Sequence, residues 1–200
     1  MRILVATTNQ GKLREFQEAA RQLGYPEIQV ETLSLPPGIS APEETGSTFE
    51  ENARIKAVHA SSYTADLVFA DDSGLEVDAL GGAPGIYSAR YAGEGVGDAA
   101  NNTLLLERMR NQTNRTARFV CAIAVAQAGK NLATFRGVIE GELLEAPKGE
   151  RGFGYDPLFF YPPLQRSTAE LTSEEKIAVS HRGNALRQLF DWMRHRHQSQ

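Results

Sequence analysis

Met1-Arg-Ile-Leu-Val-Ala-Thr-Thr-Asn-Gln-Gly-Lys12 is followed by Leu13, Phe16, Ala20 and Leu23. Ile3 to Ala6 is a short apolar run, the pattern of a buried strand. Thr7 to Lys12 is polar and holds a glycine, so the chain turns there. The four apolar residues that follow recur at helical spacing. Gly24 ends that helix, because glycine enters the left-handed cap region without steric cost. A strand, a tight polar turn and a helix in succession open an α/β fold.

Outward from this start, Ile28 to Leu33 reads as a second strand, and Leu35 to Gly46, with three prolines, as a loop. Ser47-Thr-Phe-Glu-Glu51 offers two overlapping capping boxes, so a helix should follow with Phe49, Ala53, Ala57 and Ala60 on one face. Leu67 to Ala70 reads as a buried strand leading into Asp71-Asp-Ser-Gly74, and Leu75 to Leu80 as a strand or short helix. Gly81 to Gly85 is a turn, and Asp98 is expected to cap a helix carrying Leu104, Leu105 and Met109. Arg118 to Val125 and Leu132 to Leu144 flank Ala128-Gly-Lys-Asn131 as a hairpin. Thr172-Ser-Glu-Glu175 is a further capping box. Ala185, Leu186, Leu189, Phe190 and Met193 define a last amphipathic helix. The end of the chain, residues 191–200 and above all His195 to Gln200, is expected to fray.

With 200 residues the chain suffices for one domain with a substantial core, or for two closely joined lobes. Basic residues number 21 and acidic residues 25, a formal net charge of −4. That balance argues against a nucleic-acid polymer as partner, since backbone binding needs a basic surface. It leaves room for a small nucleotide held by a few local cations. The single Cys121 excludes an internal disulfide and a multi-cysteine zinc site, and fits a reducing, cytoplasmic setting. The apolar start is too short for a signal peptide. The longest apolar stretch, Phe119 to Ala126, is far below the ~20 residues of a membrane helix.

Several stretches carry candidate chemistry. Thr7, Thr8, Asn9, Gln10, Gly11 and Lys12 lie where a strand gives way to a helix, a junction whose backbone N–H groups favour an anion. The spacing is not that of a Walker loop, and an ordinary cap with a solvated lysine is the other reading. Asp71 and Asp72 follow a buried strand, and ligands of open α/β sheets bind at carboxyl ends of strands. Paired carboxylates there suit a hard cation such as Mg²⁺, with Glu43-Glu44 as a second source; an acidic turn is the alternative. Lys56, one helical turn beyond Asn52, reads as a snorkelling lysine or a second phosphate cation. Phe153-Gly154-Tyr155-Asp156 sets aromatics that can stack on a base beside a carboxylate that can accept from one, or forms core at a strand start. Lys176, Ser180, His181 and Arg182 supply donors of different shape for carbonyl and phosphate oxygens, or simply a charged helix end. Cys121 reads as a small core residue, and Gly93-x-Gly95-x-Gly97 lacks the spacing of a dinucleotide site.

In this order the motifs resemble the inosine triphosphate pyrophosphatase family. The resemblance is carried by Thr7-Thr-Asn-Gln-Gly-Lys12, Glu43-Glu-Thr-Gly46, Phe49-Glu-Glu-Asn-Ala53 with Lys56, and Ala70-Asp-Asp-Ser-Gly74. It continues through Gly81-Gly-Ala-Pro-Gly-Ile-Tyr-Ser-Ala-Arg-Tyr91, Gly152-Phe-Gly-Tyr-Asp-Pro157, Glu170-Leu-Thr172, Lys176 and Ser180-His-Arg-Gly183. It spans about Ile3 to Phe190, and the 81–91 and 152–157 stretches are its most specific parts. It implies one α/β pyrophosphatase domain over residues 1–200: an elongated mixed sheet flanked by helices, in two lobes with a central nucleotide-binding cleft. It also implies a Mg²⁺-dependent homodimer that hydrolyses ITP, dITP and XTP to the monophosphate and pyrophosphate. The resemblance places phosphates at Thr7 to Lys12 with Lys56, and metal at Glu44 and Asp72, with Asp72 also the proton acceptor. It places the base near Ser73, Phe153, Gly154, Tyr155, Asp156, Lys176, His181 and Arg182. A nucleotide-binding sensor without catalysis, and a pyrophosphatase for other nucleotides, are the rival readings. The acidic set speaks against the sensor, because added negative charge does not help bind phosphate without metal.

Overall fold

The structure is a computed structural model that describes residues 1–7 and 9–198; Thr8 and the side chain of Gln10 lie outside the described set. Its strands are β1 (Arg2–Val5), β2 (Gln29–Thr32), β3 (Val68–Val77), β4 (Thr116–Gln127), β5 (Lys130–Leu143), β6 (Phe159–Tyr161) and β7 (Arg166–Ser167). The helices are α1 (Gln10–Gln22), α2 (Phe49–Ser61), α3 (Gly97–Arg108), α4 (Ser173–Val179) and α5 (His181–Gln198). The strands form one mixed sheet in the order β2-β1-β3-β4-β5-β6-β7. β1 runs parallel to β2 and β3, whereas β6 runs antiparallel to β5 and β7. This is the expected α/β architecture.

The chain divides into two compact units, residues 1–72, 121–137 and 177–200 in the first, and 73–120 and 138–176 in the second. In the first, side chains alternate across the strands and so serve two different helical layers. Ile3, Val5, Val30 and Phe69 pack with Phe16, Ala19 and Ala20 of α1 and with Leu186, Leu189 and Phe190 of α5. Leu4 and Val68, one residue out of phase, pack with Ala60 of α2. Each of the large side chains in this core gains about 1.5–3 kcal/mol on burial.

Most local signals act as expected. Asn9 caps α1 through Oδ1, which accepts from Lys12 N–H at 3.0 Å. Thr48 caps α2 and accepts from Glu51 N–H, while the Glu51 carboxylate reaches back to Ser47. The two predicted boxes thus merge into one. Thr172 and Glu175 close a reciprocal box at α4. Ala128 and Gly129, both at positive φ, form the two-residue turn between β4 and β5.

Three expectations change. Asp71-Asp72-Ser73-Gly74 is not a turn, since β3 continues through it to Val77. A Cβ at Gly74 would lie 2.4 Å from Ser88 Oγ, so glycine admits a closely packed turn there rather than making one. Asp98 does not cap α3; it sits inside the first turn, and Val96 takes the cap position without a side-chain bond. Residues 191–198 continue α5, with Met193 buried, Asp191 accepting from the Tyr25 hydroxyl at 2.7 Å, and Arg194 paired with Glu27.

Candidate functional site

The alternation of β3 separates the two adjacent aspartates. Asp71 keeps the phase of Phe69 and meets α1; Asp72 keeps the phase of Val68 and meets α2. The two side chains thus take different hydrogen-bond partners, Lys12 for Asp71 and Lys56 for Asp72. Asp71 accepts from Lys12 Nζ at 2.7 Å. Burial raises its carboxyl, but the charges of Lys12, Arg182 and Lys56 outweigh burial and hold it at about 2. It is a fixed anion that aims a lysine from the start of α1.

Asp72 has different company. Lys56 Nζ lies 3.2 Å from its Oδ1 and 3.0 Å from Glu44 Oε1, so one ammonium bridges two carboxylates. Asn52, one turn before Lys56 on α2, donates from Nδ2 to Asp72 Oδ2 at 3.2 Å and accepts Gly46 N–H at 2.8 Å. It thereby ties the loop that carries Glu44 to the helix. Burial raises the Asp72 carboxyl; Lys56 opposes that, Glu44 adds to it, and the net is above the usual carboxylate range. Burial lowers the Lys56 ammonium, but Asp72, Asp71 and Glu44 overcome this and hold it protonated. Among the described residues no group of three or more His, Cys, Asp or Glu converges. Glu44 and Asp72, which share Lys56, are the carboxylates that could hold a cation here. Two carboxylate oxygens around a single positive charge suit a hard ion that keeps water or phosphate in its other positions.

Also in the first unit, Arg182 is buried at 3% exposure and its Nη1 donates to Glu15 Oε2. Its guanidinium lies 5.9 Å from the centre of the Phe16 ring. Burial lowers it, but Glu15 and Asp71 hold it above its ordinary value. His181 is buried beside it in sequence, at the start of α5. A Cβ at Gly137 would meet the His181 carbonyl oxygen at 2.0 Å, so β5 must be bare where α5 begins.

The second unit holds a different assembly. Asp156 Oδ2 accepts from Lys176 Nζ at 2.7 Å and from Phe153 N–H at 2.8 Å, and Oδ1 accepts from the Thr168 hydroxyl at 2.9 Å. Rather than being left for a base N–H, the Asp156 oxygens hold their own loop, Thr168 and Lys176. Lys176 Nζ sits 5.0 Å from the centre of the Phe153 ring, in cation–π range. Phe153 is half-buried and Tyr155 is buried. The Tyr155 hydroxyl donates to the Ser88 carbonyl at 2.8 Å, and burial raises its pKa. Of the two aromatics, Phe153 is thus the one with ring surface to offer. Ser73 is half-buried on β3.

Sequence reasoning missed Asn52, Glu15 and Thr168. Asn52 could have been found as the polar residue one turn before Lys56 on an alanine-rich face. Thr168 carries no local signal. Cys121 is buried, which pushes its thiol to about 12 and leaves it no nucleophile at neutral pH.

The fold is a mixed α/β sheet with Lys12 at a strand-to-helix junction and Lys56 between Glu44 and Asp72. A model of the Ham1 family matches residues 3–192, and the chain belongs to that family. The relatives are more particular. The chain is 53% identical over 189 residues to a dITP/XTP pyrophosphatase of an Exiguobacterium species, covering 94% of this chain and 95% of that one. It is 50% identical over 189 residues to the dITP/XTP pyrophosphatase of Deinococcus radiodurans, covering 94% and 91%. Among solved structures, the Staphylococcus aureus Ham1 protein superposes with a TM-score of 0.85 at 44% identity, covering 98% of this chain and all of that one. The nucleoside-triphosphatase, or dITP/XTP pyrophosphatase, of Mycobacterium abscessus gives a TM-score of 0.73 at 43% identity, covering 94% and 98%.

Proposed function

We propose that this protein hydrolyses ITP, dITP and XTP to the nucleoside monophosphate and pyrophosphate, in the cytoplasm, as a Mg²⁺-dependent homodimer. The observation that carries the reading is Asp72, a buried carboxylate above its usual pKa, bridged to Glu44 by Lys56. Relatives named dITP/XTP pyrophosphatase at about half identity over nearly the whole chain support it.

Cleaving a phosphoanhydride needs charge neutralisation and an oriented water, with little covalent work by the protein. Bound at Glu44 and Asp72, Mg²⁺ would neutralise charge on phosphate oxygens. Lys12 and Lys56 act as point charges on the phosphates. Asp72 accepts the proton of the attacking water; a carboxylate shifted upward by burial is a stronger base than an ordinary one. Phe153 stacks on the base. Lys176, His181 and Arg182 donate toward purine oxygens, and Arg182 has no acceptor for an adenine amino group.

Pyrophosphate release from ITP, XTP, GTP, ATP and dUTP, with and without Mg²⁺, tests the reading. Turnover of ITP and XTP only with the metal is expected. No turnover of any nucleotide overturns it in favour of a sensor, and preference for dUTP in favour of another pyrophosphatase.

A further inference from the structure

We propose that Asp98 and Asn102 are positioning residues that hold the Phe153 ring in place through the peptide of Gly154. The inference rests on Phe153 being the surface on which the base stacks. The two residues stand four apart on α3 and so share one face of it. Asp98 Oδ2 accepts Gly154 N–H at 2.7 Å. Asn102 Nδ2 donates to the Gly154 carbonyl at 3.0 Å. Both polar groups of one peptide-forming residue are thus taken by a single helix. Gly154 has φ +63°, and a Cβ there would meet nothing within 4 Å, so backbone conformation alone calls for glycine.

The aromatic residue lies between two anchors. On its amino side, Phe153 N–H is fixed by Asp156. On its carboxyl side, the next residue is fixed by α3. A backbone pinned at both ends fixes the direction in which the Phe153 side chain leaves it, and Lys176 Nζ, 5.0 Å from the ring centre, adds a contact to the ring itself, so stacking a base costs less ordering. Asp98 touches neither base nor phosphate in this scheme; it acts through another residue. Binding that is equal in ground and transition states changes KM and leaves kcat alone.

Purified full-length variants provide the test. Asp98→Ala is expected to raise KM for ITP about tenfold, within the range that stacking contributes, with kcat changed by less than about twofold. Asp98→Asn retains an acceptor oxygen and should return KM close to wild type. In a Phe153→Ala background, Asp98→Ala should add no further rise, because the ring it positions is gone. An unchanged KM in Asp98→Ala, or an equal rise without the ring, overturns the proposal. A carboxylate in the first turn of a helix also adds stability, which these ratios do not read. Amide exchange at Gly154 reads the clamp without any substrate: it should speed up in Asp98→Ala and stay slow in Asp98→Asn. Unchanged exchange in Asp98→Ala sinks the clamp, whereas a wild type that exchanges as expected but fails to turn over ITP sinks the functional reading.

Discussion

The carboxylates of the first unit answer to cations reaching in from separate helices, whereas Asp156 of the second is enclosed by its own loop, Thr168 and Lys176. Glu44 and Lys56 remain 29% and 17% exposed at the side chain, against 4% and 9% for Asp156 and Lys176. The difference is one of exchangeability. Asp72 itself is 10% exposed, so the contrast lies in its partners: Lys56 and Glu44 meet solvent and Lys56 is shared between two carboxylates, which leaves each an alternative partner. Asp156 has no such freedom, and its hydrogen bonds fix a shape. On the proposed function, the first region exchanges ions and the second holds an aromatic still.

The largest effect is expected at Asp72. On the proposed roles, Asp72→Asn removes the proton acceptor and a metal ligand, and kcat should fall by about 10²–10⁴-fold. The protein should still fold: burial raises the folded pKa of Asp72, so its ionisation disfavours folding as pH rises through that pKa, while Lys56, whose charge Asp72 supports, keeps Glu44 and Asp71. Cooperative melting near the wild-type temperature with activity nearly abolished is the expected pair. Near-normal turnover would take Asp72 out of the mechanism.

Arg182 should be the costliest loss to the fold. Arg182→Ala leaves the Glu15 carboxylate, and in part that of Asp71, without a buried counter-charge. Breaking such a pair from one side costs about 3–5 kcal/mol. Denaturant unfolding at neutral pH reads it. Adding Glu15→Gln should recover part of the loss. Purely additive losses would mean that Arg182 acts through packing alone.

Asp71 titrates in the opposite sense to its neighbour. Its folded pKa is depressed to about 2, so its stabilisation is present above the unfolded value and is lost as pH falls toward 2. Asp71→Asn should cost about 2 kcal/mol at pH 7 and much less at pH 2.5. A cost independent of pH would assign Asp71 a packing role instead.

How far the sequence foretells all this depends on the range of the forces involved. The opening strand, turn and helix were legible because periodicity and Gly24 are local. So were α2, its alanine face, the β4–β5 turn and the Thr172 box. The course of β3 was not, because Asp-Asp-Ser-Gly is turn-like by composition and what favours it as strand is distant in sequence: its place in the sheet between β1 and β4, and Lys12, Lys56 and Asn52 from two other helices. The separation of Asp71 from Asp72 follows once the strand is known, since period two assigns them to opposite layers. Asp98 looked like a cap because the partner that claims it, Gly154, lies 56 residues away. Asp156 looked like a ligand acceptor for the same reason: Thr168 and Lys176 gave no local sign that they would fill it.

The smallest expected effect is at Thr168, and it probes the enclosed region directly. Valine matches threonine in shape and lacks only the hydroxyl. In Thr168→Val, Asp156 Oδ1 loses the hydroxyl bond, in a place where its residue is only 3% exposed. An unsatisfied acceptor of that kind costs about 1 kcal/mol or somewhat more. For a chain of this length that is a drop of about 2–4 °C in melting temperature. Inorganic triphosphate with Mg²⁺, which lacks a base, should stabilise wild type and variant equally, because it engages only the lysines and carboxylates of the first unit. If Thr168→Val melts like wild type, water reaches Asp156 and the enclosure is not sealed. If triphosphate erases the difference, the two regions are not the separate devices the contrast requires.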